Sequence, residues 1–229
     1  MILRLKKNVG LDKTKSFILL AVLCAVVTSW GGRALALKAD EPLSQMENTV
    51  NKALALLKDP VLKKQQVLRQ QKLYELIDYR FDFQLMGRLA LGPAWKTVDV
   101  GARDTFVRLF ADLLKNTYVR RVDSYTDGRI TFLKQLKRNK LAFVYSKYEN
   151  NNDTMSINYK MINRNGIWRV YDVVIEGVSI VKQYRRQFAQ ILLDEQMSGL
   201  IKRLKAKLKT LKKIEDQPVK LRFNSPPQP

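Results

Sequence analysis

From residue 46 to residue 119 apolar positions recur every three or four residues, from 129 to 175 they alternate, and from 180 the helical spacing returns. Within the first block, Met46 to Leu57 reads as a helix. Asp59-Pro60 opens another, an N-cap followed by proline at the first helical position, which runs to about Ile77. Asp82 caps a short helix from Phe83 to Ala90, closed by Gly92-Pro93. The strongest stripe lies between Val98 and Val119, where Phe106, Leu109, Phe110, Leu113, Leu114 and Tyr118 share one face of a 3.6-residue period.

In the alternating block, Arg129 to Leu133, Leu141 to Tyr148, Thr154 to Ile162 and Trp168 to Ile175 read as four strands. The third is the cleanest: Met155, Ile157, Tyr159 and Met161 point one way, and Thr154, Ser156, Asn158 and Lys160 the other. Asn-rich turn chemistry at 149–153 and 163–166 makes the connections short, which favours antiparallel pairing with one covered face. The alternation breaks near Asp172, where a bulge would invert the faces. Ser179 is placed to cap a helix from Ile180 to about Gln196, and Gly177 to supply a turn that few residues can make. After Ser198-Gly199 a further stripe begins: Leu200, Ile201, Leu204, Leu208, Leu211. Helices, a strand block, then helices describe an α+β domain. Its expected form is an antiparallel sheet of about four strands, free to curve strongly and covered by several helices.

The first stretch departs from this pattern. Arg4, Lys6, Lys7, Lys13 and Lys15 precede an uncharged apolar run, and Ala34-Leu35-Ala36 supplies small residues at its end. That three-part order predicts a cleavable signal peptide over residues 1–36, cut after Ala36. The run is short for a membrane span, which needs about 20 apolar residues. The expected organisation is then one domain over 37–214 and a loose tail over 215–229 that ends in Pro-Pro-Gln-Pro.

Charge adds a partner to the picture. The 229 residues carry 42 basic and 21 acidic side chains; six and one of these precede residue 37, leaving 36 against 20. Such an excess fits an anionic partner, surface or ligand. Lys202, Arg203, Lys205, Lys207, Lys209, Lys212 and Lys213 crowd one amphipathic stretch, which suits an anionic membrane surface, an acidic protein face or simple solvation. No nucleic-acid reader motif appears, so nucleic acid is not an expected partner.

Catalysis has little to work with. There is no histidine, and the single cysteine, Cys24, lies in the predicted leader. That removes His-based triads, histidine metal sites and disulfides from the exported domain. No Walker A or dinucleotide-binding glycine motif is present, and no paired carboxylates stand beside a glycine-rich loop. The reading is a non-enzyme without cofactor or metal. Two non-enzymatic readings remain: a domain whose sheet and helices enclose a greasy pocket, and a basic envelope adaptor with a fully packed core that binds anionic membrane or an acidic partner. Periodicity alone does not separate them.

Three segments carry a resemblance. FDFQLMGRLALGPAW (81–95), DTFVRLFADLLKNTY (104–118) and above all WRVYDVVIEGVSIVKQYRRQF (168–188), followed by SGLIKRL (198–204), resemble the MlaC family across roughly residues 40–205. That family comprises periplasmic lipid shuttles, the auxiliary component of the toluene-tolerance (Mla) ABC transport system. Its signature is Tyr-Asp, apolar residues, Glu-Gly-Val-Ser, an apolar pair and Tyr-Arg-x-Gln-Phe, with Arg186 at x here. The strongly basic balance and the long basic C-terminal helix depart from the family pattern.

The resemblance implies a carrier in the periplasm of a Gram-negative bacterium. It would hold a glycerophospholipid as cargo, acyl chains inside a hydrophobic pocket between sheet and helices, and work as a monomer with transient membrane contact. It would exchange lipid with an outer-membrane lipoprotein–porin complex and an inner-membrane MCE-domain ABC transporter, and so maintain outer-membrane lipid asymmetry. Pocket candidates are Leu109, Leu113 and Tyr118 on the long helix; Phe143, Tyr145, Ile157, Tyr159, Met161, Val173 and Ile175 on the strands; and Val178, Val181, Tyr184 and Phe188 in the signature. Each fits core packing as well as pocket lining. Lys182, Arg185 and Arg186 are candidates for headgroup or partner contact.

Overall fold

The computed structural model describes residues 41–122, 128–150 and 153–215, and the expected leader, its cleavage site and the tail beyond 215 lie outside them. The element order is α1 (Pro42–Lys58), α2 (Pro60–Lys64), α3 (Gln66–Arg80), α4 (Phe83–Leu91), a 3-10 turn (Gly92–Lys96), α5 (Val100–Val122), β1 (Arg129–Arg138), β2 (Leu141–Glu149), β3 (Thr154–Arg164), β4 (Ile167–Ile175), β5 (Val178–Ser179) and α6 (Ile180–Glu215). The strands form one antiparallel sheet in sequence order, β1-β2-β3-β4-β5. This is the expected α+β architecture, with a fifth, two-residue strand added at the edge.

The start signals act as read. The Asp59 carboxylate accepts from the amides of Val61 and Leu62, and Asp82 from that of Leu85, so each satisfies orphan donors of a helix N-terminus. The helix expected from Pro60 to Ile77 is instead interrupted at Gln65 (φ −114°, ψ 65°). Val67 and Leu68 stand exposed just beyond, so no packed stripe holds one continuous axis there. Strand β1 continues five residues past Leu133, because a bulge between Phe132 and Lys134 absorbs the break in alternation. Helix α6 breaks at Gln196 (φ 58°, ψ −168°), two residues before the expected Ser198-Gly199. A Cβ on Gly199 would stand 2.2 Å from that of Glu195, so the folded-back chain requires glycine there. Arg203 spans the break, its Nε 2.9 Å and 3.0 Å from the two Glu195 carboxylate oxygens.

The core has two main parts. Met46 of α1 packs on Ala142, Val144, Tyr159, Met161, Trp168 and Val170 of the sheet. Helices α4, α5 and α6 pack on one another through Met86, Phe106, Phe110, Leu113, Phe188 and Leu200. Phe81 and Val173 touch both parts. Arg80 fastens α3 to α1 and β4. It is 5% exposed, donates to Thr49 Oγ1 at 2.8 Å and Gln45 Oε1 at 2.9 Å, and donates to the carbonyl of Trp168. Burial lowers its pKa from the ordinary arginine value. These three acceptors are all neutral, so hydrogen bonds rather than a counter-charge satisfy it there.

Candidate functional site

The signature segment folds as a strand, a tight corner and a helix start. Glu176 (φ 48°) and Gly177 (φ 76°) are both left-handed, the backbone of a two-residue hairpin turn between β4 and β5. The Glu176 amide donates to the Ser156 carbonyl at 3.0 Å, and its carboxylate accepts from the Ser156 amide. Asp172, buried on β4, gathers the other side. Its carboxylate accepts from Ser179 Oγ at 2.6 Å and the Val181 amide at 3.1 Å, and pairs with Lys160 Nζ at 2.9 Å. Ser179 Oγ in turn accepts from the Lys182 amide at 3.0 Å. Asp172 and Ser179 therefore cap α6 jointly, and the polar half of the signature is spent on aiming that helix at the sheet.

The expected bulge is present. Tyr159 pairs with Val173 and Met161 with Val170, although Lys160 pairs with Asp172, so Tyr171 is the extra residue. It brings Val173 and Ile175 onto the face that carries Tyr159 and Ile157. At the α1 end of this inner face Val144, Met161 and Val170 are fully buried. Toward the other end Phe132, Ile157, Val173 and Ile175 are only half-buried. Half-buried Leu109 and Tyr118 on α5 and Tyr184 on α6 pack with Val173 and Ile175 against the helical core. These half-buried apolar side chains of helices and sheet line the margin of the packed core as a wall that keeps part of its surface accessible, with Leu109 and Tyr118 on different sides of α5.

Beside the wall lies the buried Tyr159 phenol, hydrogen-bonded with Ser146, which burial pushes up to about 12. Behind it Phe110 meets Tyr184 edge-on at 5.1 Å and Phe188 at 5.5 Å, so the aromatic end of the signature is rigid backing.

Of the fourteen apolar candidates, eight join the helical cluster: Leu109, Leu113, Tyr118, Val173, Ile175, Val181, Tyr184 and Phe188. Ile157, Tyr159 and Met161 join the sheet cluster. Leu113, Tyr159, Met161, Val181 and Phe188 are closed off as core. Three fall elsewhere. Phe143 and Tyr145 point to the outer face, because they alternate with inward Ala142 and Val144, and Phe143 pairs with Lys160. Val178 lies on the edge strand and is 50% exposed. Phe132 was not legible as a wall residue; the bulge beside it hides its phase. Lys182, Arg185 and Arg186 are exposed along the first half of α6. Arg185 lies over Gly92 (φ 59°), the C-cap of α4, where a Cβ would come within 2.7 Å of its Nε. A cation beside a helix C-terminus is favourable, which links the two family segments physically.

An open depression of about 510 Å3 lies beside α2 and the start of α3, lined by Lys64, Gln65, Gln66, Val67, Leu68 and Gln71. It shares no residue with the wall. Among the described residues no cluster of acidic or cysteine side chains has the makings of a metal site, and no helix is long and apolar enough to cross a membrane.

This arrangement of helices on one antiparallel sheet is a known class. It matches the phospholipid-binding protein of Ralstonia solanacearum, solved in complex with a phospholipid, with TM-score 0.67, 23% sequence identity, and coverage of 75% of this chain and 99% of that one. Residues 47–206 match the MlaC protein family, and the chain belongs to it. The intermembrane phospholipid transport system binding protein MlaC of Haemophilus influenzae is 24% identical over 136 residues, 57% of this chain and 63% of that protein. The match thus spans less than two thirds of that relative's length.

Proposed function

We propose that the chain is a periplasmic phospholipid carrier, delivered by a cleaved leader, which takes up acyl chains against the half-buried wall of Leu109, Tyr118, Ile157, Val173, Ile175 and Tyr184. The observation that carries this reading is the wall itself: apolar side chains from both helices and sheet, left half-buried at the margin of the core in a chain of this family. Burying a methylene is worth about 0.8 kcal/mol, so a chain of about fifteen is worth roughly 12 kcal/mol. A lipid does not cross water unaided against such a term. A carrier that covers its chains, and hands them over only when docked, removes the barrier without chemistry of its own. The partners that fit are an outer-membrane lipoprotein–porin complex and an inner-membrane MCE-domain ABC transporter, with the transporter supplying the energy.

Native mass spectrometry of protein recovered from the exporting cell tests the reading. A stoichiometric phospholipid adduct, and uptake from liposomes after delipidation, are the expected results. Protein that emerges empty and takes up nothing would sink it.

A further inference from the structure

The outer face of the β1–β2 hairpin breaks the usual rule for a sheet with one covered side. Toward the hairpin tip its positions are largely apolar, with Lys134 and Arg138 among them. Leu136 pairs with Phe143, Leu141 with Ile162, and Lys134 with Tyr145, which sets five apolar side chains side by side. Leu136 is 57% and Leu141 47% exposed, and Leu133, left over at the bulge, is 59% exposed. Phe143 and Tyr145 lean together with ring centroids 4.5 Å apart, and Lys134 Nζ sits 5.0 Å from the Tyr145 ring. An exposed apolar patch of this extent marks an interaction surface.

Cations dominate the charge around it. From Arg129 to Glu149 there are six cations and one carboxylate, Glu149, which pairs with Lys147 at the end away from the tip. Lys134, Arg138 and Lys140 make no ion pair among the described residues. Two of the three stand at the hairpin tip, where Leu136 and Leu141 flank Arg138, Asn139 and Lys140. The partner must therefore be anionic at its skin and apolar just beneath. Protein hot spots seat anchors in fitted pockets. Here the leucines stand exposed on the hairpin, and a lysine ammonium lies over a tyrosine ring, a pairing of residue types found at bilayer interfaces.

We propose that the outer face of the β1–β2 hairpin is a membrane-docking surface: Leu136, Leu141 and Phe143 enter the headgroup layer of an anionic phospholipid bilayer while Lys134, Arg138 and Lys140 meet its phosphates. The strand residues of the wall and this face lie on opposite sides of the same sheet, so docking leaves the wall accessible. The purpose of docking rests on the carrier reading, but its measurement does not.

Protein recovered from the exporting cell is sedimented with vesicles of phosphatidylcholine alone and of phosphatidylcholine mixed with phosphatidylglycerol. Wild type binds the mixed vesicles and releases them as salt rises. Replacing Lys134, Arg138 and Lys140 together by Gln weakens binding about a hundredfold, at about fivefold for each cation near an anionic surface. The pair Leu136→Ser and Leu141→Ser weakens it about tenfold on both lipid mixtures. Circular dichroism confirms folding, and native mass spectrometry shows bound phospholipid unchanged in both variants. No adsorption of wild type overturns the proposal and leaves the face to an acidic protein. Hairpin variants that bind like wild type also overturn it, as does a loss confined to Val67→Ser with Leu68→Ser at another exposed apolar site. Adsorption through the hairpin by protein that carries no lipid would uphold this surface and remove the carrier reading instead.

Discussion

The two ends of the sheet's inner face differ although one alternation builds both. At the α1 end Val144, Met161 and Val170 have no exposed surface, because Met46 covers them and Arg80 holds α1 down through Thr49 and Gln45. At the far end Ile157, Val173 and Ile175 carry the same kind of side chain on the same face, yet remain half-buried. Residue type therefore does not distinguish closed core from half-buried wall. The cover does, and the cover is set by where a helix is pinned.

The sharpest way to break the comparison is to damage the closed end. Met161→Ala removes a side chain with no exposed surface and leaves a cavity, at a cost of about 3 kcal/mol in urea unfolding. Protein that still folds keeps its bound lipid. If Met161→Ala lost lipid without losing stability, the closed end would belong to the binding wall and the distinction would collapse.

The next effect tests the pin. Arg80→Ala removes one donor each from Thr49 Oγ1, Gln45 Oε1 and the Trp168 carbonyl, although Gln45 Oε1 keeps the Trp168 amide, and costs about 2 kcal/mol in the same measurement. Hydrogen exchange should quicken in α1 and the start of β4 before it does in α5. Equal quickening throughout would show that Arg80 merely contributes to global stability.

At the open end the expected effect moves from stability to cargo. Ile157→Trp projects an indole into accessible space, so unfolding changes by less than about 1 kcal/mol. Displacing about two methylenes of an acyl chain weakens phospholipid binding about tenfold. A large loss of stability with unchanged lipid content would mean that Ile157 is ordinary core.

These contrasts also show what sequence reasoning can reach. Caps at Asp59, Asp82 and Ser179, the turn at Gly177 and the bulge beside Asp172 are local, and each was legible because one residue type meets one backbone need. Which face of β2 turns inward was not. Leu141, Ala142, Phe143, Val144 and Tyr145 form an unbroken apolar run, so the period of two has no polar phase to anchor it. The run lets Phe143 and Tyr145 read as inward, and they lie outward. The division into closed and open ends depends on Arg80 meeting residues more than thirty positions earlier and 88 positions later, a long-range contact with no local pattern.

The smallest effect probes the boundary itself. Tyr159 sits where the closed end gives way to the open one, its phenol buried and hydrogen-bonded with Ser146. Tyr159→Phe costs about 1 kcal/mol at neutral pH, the net worth of one hydrogen bond. The pH dependence is more telling. Burial raises the folded-state value to about 12 from 10.0, so the folded protein holds this proton more tightly than the unfolded chain. The contribution is complete below pH 10 and is lost as the pH rises toward 12; at pH 11 the loss is about 1.4 kcal/mol. Wild type should therefore lose that much more stability than Tyr159→Phe between pH 9 and pH 11 in paired urea titrations. Parallel curves would mean that water reaches the phenol, and that the open end extends across Tyr159 into what is now counted as closed.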